Sequence, residues 1–596
     1  MDYDAIVVGS GFGGTVAATT LVAAGRRVLI LERGTWWVSP EELGSPPAPA
    51  SGRARLADWL KQEDEPVQYW PRPDHKDGLL YLFAANRSKR NPDGLYKISS
   101  FDEATVVTAS AVGGGSMIYS NVNLRAHPEA LDAIGLRLGE AEYDAAAKWM
   151  EDVRGPLNRI VTKVPLPGRD VADLGADDYL YFDRSRVLKE AAADVAAKLG
   201  IELPWSPLEL SILEYDPERG AESGAAREHT FCRRQGRCIF GCLPGARETL
   251  DRSLFDHALS SPEAGATLLP LAEATRLRRV EGGYEITFRD HRHGGEEKKV
   301  SAPSVFLAAG TLGTVEFLLR SREEGGLAVS DRLGRGFSTN CDFGAFIVDT
   351  AKPVNSAEGP INTCGVRAVV DGRHFTLEDT GIPSMVAPTI ATSIRLIDTF
   401  VRRRLFRGKL RLTWLGQSFR DLKMLLPNLP DTYDPTDVHT EAETVANIFL
   451  FHVMGQDDAS GRFTLRDGKL DLRWEKPVLS QPTFQKAREL CQEFAAAMGG
   501  RYVPMDEALP QLRRLTITHP LGGCGIGPTR EAGVVDEYGR VYDAHGATDT
   551  AVHPGLYVVD GSSMPGALGV NPTLTIAAQA LKGATAAVQP PRRYAE

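Results

Sequence analysis

The clearest chemistry in this sequence is the holding of a phosphate. Gly9-Ser10-Gly11-Phe12-Gly13-Gly14 sets glycines where a backbone must turn sharply and then lie against an anion. Gly9 permits the tight turn, Gly11 lets backbone amides approach a pyrophosphate, and Gly14 lets a following helix pack against its strand. Glu32 follows at a spacing suited to a ribose 2′-OH, and its charge would repel a 2′-phosphate. A second glycine-dense run, Val112-Gly113-Gly114-Gly115-Ser116 within Phe101–Arg125, suits a backbone lying directly on a ligand, where side chains would block the approach. Near the C-terminus, Thr518-His519-Pro520-Leu521-Gly522-Gly523-Cys524 offers an imidazole. The blocks Gly555–Gly566 and Gly569-Val570-Asn571-Pro572-Thr573 offer the Asp560 carboxylate and the Asn571 carboxamide. Taken singly, His519 reads as a structural histidine and Asn571 as a helix cap.

These groups need elements to position them. Tyr3–Val8 reads as a buried strand, Thr15–Ala24 as a helix stopping at Gly25, and Arg27–Leu31 as the strand that ends in Glu32. The helix N-terminus turns unpaired N–H groups and partial positive charge toward the phosphates. Ser304–Ala309 repeats the pattern: a strand runs into Gly310-Thr311, and a helix follows over Thr314–Arg320. Ala309 and Gly310 therefore sit at a second cofactor-facing turn. Leu556–Val559 is a strand delivering Asp560 and Gly561, a carboxylate able to bond the hydroxyls of a long cofactor. Asn571 precedes Pro572 and Thr573 as the N-cap of an apolar helix running to about Val588, whose positive end would face negative charge created by the chemistry. Elsewhere, Ala266–Leu277 and Gly283–Phe288 read as strands. Arg462–Leu465 and Lys469–Arg473 read as a hairpin turning at Asp467-Gly468, and Gln485–Met498 as an amphipathic helix.

Bulk composition narrows the class. A chain of 596 residues is too long for one ordinary domain. Its 42% hydrophobic and 24% charged residues are ordinary for a globular protein. A net charge of −10 excludes the basic footprint of a nucleic-acid binder. No apolar run approaches the roughly 18 residues that cross a bilayer. The first strand begins almost at once, leaving no room for a secretory signal, so the cytoplasm is the expected location. Pro40–Arg55 reads as a surface loop. Arg402–Lys423 carries eight Lys or Arg residues and one acid among apolar side chains. Such a stretch can rest peripherally on an anionic membrane or form a solvated helix face, and both readings stay open. Cys232, Cys238 and Cys242 have spacing reminiscent of an iron–sulfur or zinc site, but no fourth ligand is evident, so packing of a compact loop is favoured and no metal is expected. A pyridine-nucleotide disulfide reductase would need a second strand-flanked GxGxxG, and Gly523-Cys-Gly-Ile-Gly527 lies in the wrong context. Oligomeric state is not legible.

The N-terminal fingerprint, Val112–Ser116, the His519-Pro-Leu-Gly-Gly motif and the Asp560 to Asn571-Pro572 block together resemble the glucose–methanol–choline (GMC) flavin oxidoreductases. Tyr538-Gly-Arg540, Leu556-Tyr-Val-Val-Asp-Gly561 and Gly569-Val-Asn-Pro572 are similar to the cholesterol oxidase branch, and so is the cysteine loop with Gly245-Ala246-Arg247. The resemblance implies an α/β fold: a Rossmann-type FAD-binding domain from residues 1–125, 226–330 and 515–596, with an α+β substrate domain on an antiparallel sheet from 126–225 and 331–514. It implies noncovalent FAD, held by Gly9, Gly11, Phe12, Gly14, Glu32, Gly114, Gly115, Ser116, Asn121, Ala309, Gly310, Asp560, Gly561, Pro572 and Thr573. It makes His519 and Asn571 the catalytic pair: histidine takes or shares the hydroxyl proton, asparagine bonds the substrate oxygen, and hydride passes to flavin N5. Glu443 is the candidate for the branch's isomerising glutamate, and His452 for the substrate cavity; a surface acid and a packed core histidine are the blander readings. The implied substrate is a hydrophobic secondary alcohol, first a 3β-hydroxysteroid and next a sugar or polyol. Oxygen or another acceptor would take the electrons. A non-catalytic or electron-transfer flavoprotein is the rival of another class.

Overall fold

Short, wholly apolar strands build the first sheet, because strands covered on both faces have no side to leave polar. Ala5–Val8 and Val28–Leu31 are buried at every position. The computed structural model describes residues 3–36, 95–154, 163–165, 179–212, 232, 234, 236, 238–240, 242, 246–259, 265–383, 387, 391, 445–504 and 515–589. Pro40–Arg55, Glu443 and the basic stretch Arg402–Lys423 lie outside them. Six strands lie in the order Arg540–Tyr542, Val552–Val558, Ser304–Leu307, Ala5–Val8, Val28–Leu31, Ala266–Leu269. All neighbours are parallel except the first pair, where Arg540–Tyr542 closes the edge antiparallel.

The helices that cover this sheet start earlier than the sequence pattern predicts. The fingerprint helix runs Phe12–Ala23 and the helix after the central strand runs Gly310–Gly325, because the glycines themselves supply the first turns. The C-terminal helix, Thr573–Val588, packs on the fingerprint helix, with Val16, Ala17, Ala18 and Leu21 meeting Leu574, Ala577, Ala578 and Ala584 in one core. The predicted strand Ala266–Leu277 is two strands. Pro270 cannot donate to a ladder and Leu271 sits at φ +58°, so the chain leaves the parallel sheet there. Ala272–Val280 then joins an antiparallel meander with Gly283–Asp290 and Glu296–Ala302.

The second large sheet is antiparallel throughout, in the order Arg501–Pro504, Phe343–Val348, Ile448–Gly455, Arg373–Thr380, Cys364–Val370, Trp205–Pro207. Its register sets Glu378 directly opposite His452, and His452 opposite Gly344. The helix Pro482–Ala497 packs Phe494 against Phe451 of this sheet. The hairpin forms as predicted, Gly461–Arg466 against Lys469–Arg473, with Asp467 and Gly468 both at positive φ. A smaller sheet sets Leu515–Ile517 parallel to Ala104–Ala109, which delivers Thr518 and His519 to the junction of the two large sheets. Among the described residues no helix is long and apolar enough to cross a membrane.

Candidate active site

At the phosphate end, the glycines are fixed by close approach. A Cβ on Gly14 would lie 2.0 Å from the Gly9 carbonyl oxygen, and Gly9 itself is at φ +97°. Gly11 and Gly114 face one another: a Cβ on Gly114 would come within 2.6 Å of the Gly11 Cα, so the two glycine runs form one cradle. Gly115 is exposed beside it. Phe12 packs edge-on against Tyr119. The fingerprint helix has no capping side chain at Gly11, which leaves its first amides available to an anion.

Sequence reasoning missed Ser10, which ties these parts together. Its N–H and hydroxyl donate to Glu32 Oε2 at 3.0 and 2.7 Å, and its Oγ accepts from Gly113 N at 3.1 Å. Glu32 also accepts from Gly34 N at 2.8 Å, and burial raises its carboxyl above the usual range despite these bonds. Ser116 is spent locally: its hydroxyl donates to Gly113 O and accepts from Leu250 N. Ala309 and Gly310 are exposed at the C-terminal end of the central strand, where ligands of such sheets bind.

Two expectations need correction. The Asp560 carboxylate does not stand free for cofactor hydroxyls. It accepts from Gly310 N, Thr314 Oγ1, Ser562 N and Ser562 Oγ, which occupies the four places a carboxylate offers. It therefore locks two strand ends together, with Gly561 buried behind it. Nor is Asn571 a helix cap: the N-cap position falls on Pro572, with Thr573 buried as the first helical residue. The Asn571 amide instead turns toward the second sheet, placing Nδ2 3.5 Å from Glu378 Oε2. Its Oδ1 is buried without a partner.

Asn121 supports the cofactor expectation. It is fully buried at φ +67°, and neither polar atom of its amide has a partner. A buried amide with both ends unpaired is costly unless something else completes it. Together with the Gly11–Gly114 cradle and the open helix terminus, it fits a dinucleotide cofactor.

A wall of polar side chains centres on Asp342, another residue the sequence pattern did not single out. It is buried at the entrance to the strand Phe343–Val348. Its Oδ2 accepts from Thr518 N, Thr518 Oγ1 and His519 N. Its Oδ1 lies 3.2 Å from His519 Nδ1 and 2.6 Å from His452 Nε2. The two imidazoles stack with centroids 5.1 Å apart. Burial works to raise the Asp342 carboxyl, but the charges and hydrogen bonds of His519 and His452 hold it well below the usual range. Burial likewise opposes charge on His452, yet Asp342 and Glu378 raise its imidazole above the ordinary value. The donor atoms of Asp342, His452 and His519 all lie within 4.8 Å of one another, and the 2.6 Å His452–Asp342 contact is at hydrogen-bond distance.

Glu378 completes the wall. It is fully buried, accepts from Asn362 Nδ2 at 3.0 Å, and sets Oε2 3.9 Å from His452 Nδ1. Desolvation pushes its carboxyl up to about 7. The next residue, Asp379, points to the opposite face of the strand and pairs with buried Arg184. A Glu-Asp pair inside an otherwise strand-like run was the available signal for both acids. Thus His519, His452 and Asn571 are joined through Asp342 and Glu378.

One turn holds both the segment that carries His519 and the segment that carries Asn571. Asn340 and Cys341 are non-glycine residues at φ +55° and +47°, just before Asp342. Asn340 Nδ2 donates to Val570 O, and its Oδ1 accepts from Leu568 N and Gly569 N, which fixes the approach to Asn571. Asp457 anchors the turn from behind, accepting from Ser338 Oγ, Thr339 N and Thr339 Oγ1. Away from this wall, Cys238 packs in a small apolar cluster with Cys232 and Cys242 at its margin, and burial pushes its thiol up to about 11.

Sequence profiles described as GMC oxidoreductase match residues 3–338 and 482–580. A cholesterol oxidase of Mycobacterium tuberculosis (strain ATCC 25618 / H37Rv) is 28% identical over 615 residues, covering 98% of this chain and 91% of that protein. A paromamine 6′-oxidase of Streptomyces fradiae is 24% identical over 608 residues, covering 98% and 91%. Among solved structures, pyridoxine 4-oxidase from Mesorbium loti superposes with a TM-score of 0.55 at 15% identity, covering 98% of each chain.

Proposed function

The chain belongs to the GMC oxidoreductase family, FAD-dependent enzymes acting on CH–OH donors, and from that premise we propose that it oxidises a hydrophobic secondary alcohol of the 3β-hydroxysteroid class to the ketone. The observation that carries this reading is the connected line Asn571–Glu378–His452–Asp342–His519, a base and a carboxamide joined within one buried wall. The steroid preference rests on the near full-length similarity to cholesterol oxidases.

In this mechanism FAD supplies the two-electron acceptor for the hydride of the carbinol carbon. The protein's part is to orient the alcohol and manage its proton. Asp342 Oδ1 accepts from His519 Nδ1, so the neutral ring keeps a lone pair on Nε2 to take the hydroxyl proton. Asn571 Nδ2 donates to the alcohol oxygen and sets its direction. Gly9–Gly14, Glu32, Gly114, Gly115, Asn121, Gly310 and Thr573 would hold the cofactor. Glu378, placed beside Asn571 with a carboxyl near 7, is the described acid suited to moving a carbon-bound proton of the steroid product.

The test is anaerobic. Purified yellow protein is mixed with 3β-hydroxysteroids, long aliphatic alcohols, and sugars or polyols, and bleaching of the flavin band is followed. The expected result is bleaching by the steroids, with ketone as product. Bleaching by polyols alone would move the substrate to the polar class, and bleaching by no alcohol would end the enzymatic reading.

A further inference from the structure

The wall contains a histidine that the proposed proton transfer does not use. His452 lies in the middle of the antiparallel sheet, in a cross-strand row that runs Gly344, His452, Glu378, Gly365 and Ser206. Side chains in such a row share one face. The two glycines flank the imidazole and the carboxyl, so neither has a side chain directly beside it on its outer side. His452 Nε2 is 2.6 Å from Asp342 Oδ1, its Nδ1 is 3.9 Å from Glu378 Oε2, and its ring stacks on His519.

Proton counting gives this arrangement a meaning. Asp342 Oδ1 is an acceptor only, so both nitrogens that reach it carry hydrogen: Nε2 of His452 and Nδ1 of His519. Nδ1 of His452 faces Glu378 Oε2 at 3.9 Å, beyond hydrogen-bond reach. Asp342 carries the negative charge held between the two rings. His452 spreads that charge by donating to it. Without His452, Asp342 would turn its whole charge on His519 and favour the imidazolium there, which has no lone pair to offer an alcohol.

We propose that His452 is a positioning residue for this reaction: its Nε2–H donates to Asp342, which leaves Asp342 to orient His519 without drawing a second proton onto it, so that the His519 Nε2 lone pair stays free. The role rests on the proposed assignment of His519 as base. The titratable groups facing His452 are Asp342 from the turn before Phe343–Val348, Glu378 from Arg373–Thr380, and His519 from the segment after Leu515–Ile517. Arg367 on the neighbouring strand feels the charge of Glu378, while Asp379 points away to Arg184.

The experiment follows histidine ring signals by NMR in FAD-loaded protein labelled at histidine Cε1. It compares wild type with His452→Leu and with His452→Gln, whose amide can still donate to Asp342. The His519 signal is assigned by its loss in His519→Ala. In His452→Leu the His519 titration should move up by about one pH unit, and in His452→Gln by less. With cholesterol as the reductant, the acid limb of the kcat/KM profile should move by the same amount. An unmoved His519 titration in both folded variants would overturn the proposal. Because the NMR titration needs no substrate, it decides this inference even where no steroid bleaches the flavin, an outcome that would count against the proposed function alone.

Discussion

The two ends of this molecule solve opposite problems with opposite materials. The candidate phosphate end uses backbone: glycines packed so closely that an added Cβ would clash, and an uncapped helix terminus, on a mostly parallel sheet. The candidate catalytic wall uses side chains: Asp342, Glu378, His452, His519 and Asn571 come from five separate segments and meet through an antiparallel register and a left-handed turn. Backbone recognition tolerates almost no added atom, whereas a side-chain network tolerates shape-preserving changes but registers every change of charge.

That contrast predicts how each end breaks. Gly14→Val puts a side chain where 2.0 Å is available beside the Gly9 carbonyl, so it should yield colourless or insoluble protein, read by the flavin absorbance of the purified fraction. Asp342→Asn preserves shape at the wall. It should keep the yellow colour and lose roughly a hundredfold in flavin reduction, because the orienting acceptor for His519 Nδ1 is gone. Equal loss of flavin and of reduction would erase the distinction between the two ends.

Glu378→Gln sharpens the comparison through pH. The folded carboxyl lies near 7 and the unfolded one near its ordinary value of 4.5, so the folded state binds the extra proton between them. Wild-type stability therefore falls as pH rises from about 5 to 7 on account of this group. Thermal melts of the Gln variant should fall less than wild type over that window, and parallel melts would refute the burial cost assigned to Glu378. The smallest effect belongs to Ser10→Ala. Removing the hydroxyl that bridges Glu32 and Gly113 should cost about 1 kcal/mol, a several-fold rise in the FAD dissociation constant, with flavin reduction in the loaded protein unchanged.

The same division governs what the sequence reveals. Gly9–Gly14, Glu32 and Gly310 are readable because their chemistry depends on neighbours a few residues away. Asp342 and Glu378 are not, because their meaning comes from partners such as Thr518 and His452, more than seventy residues distant in the chain. Asn571 shows how local reading misleads: next to Pro572 it looks like a cap, yet Asn340 clamps the preceding backbone so that its amide faces Glu378. Asp560 shows the converse, a carboxylate at a strand end that looks available to a ligand and is taken up by four protein donors. His452 is visible as a histidine in an apolar strand, but its neighbour Glu378 is fixed only by register.

The most direct measurement of the whole account is rapid mixing of anaerobic wild type and His519→Ala with an alcohol that bleaches the wild-type flavin. The account predicts that the variant retains its yellow colour and reduces its flavin at least about a hundredfold more slowly. A variant that bleaches at the wild-type rate would contradict it.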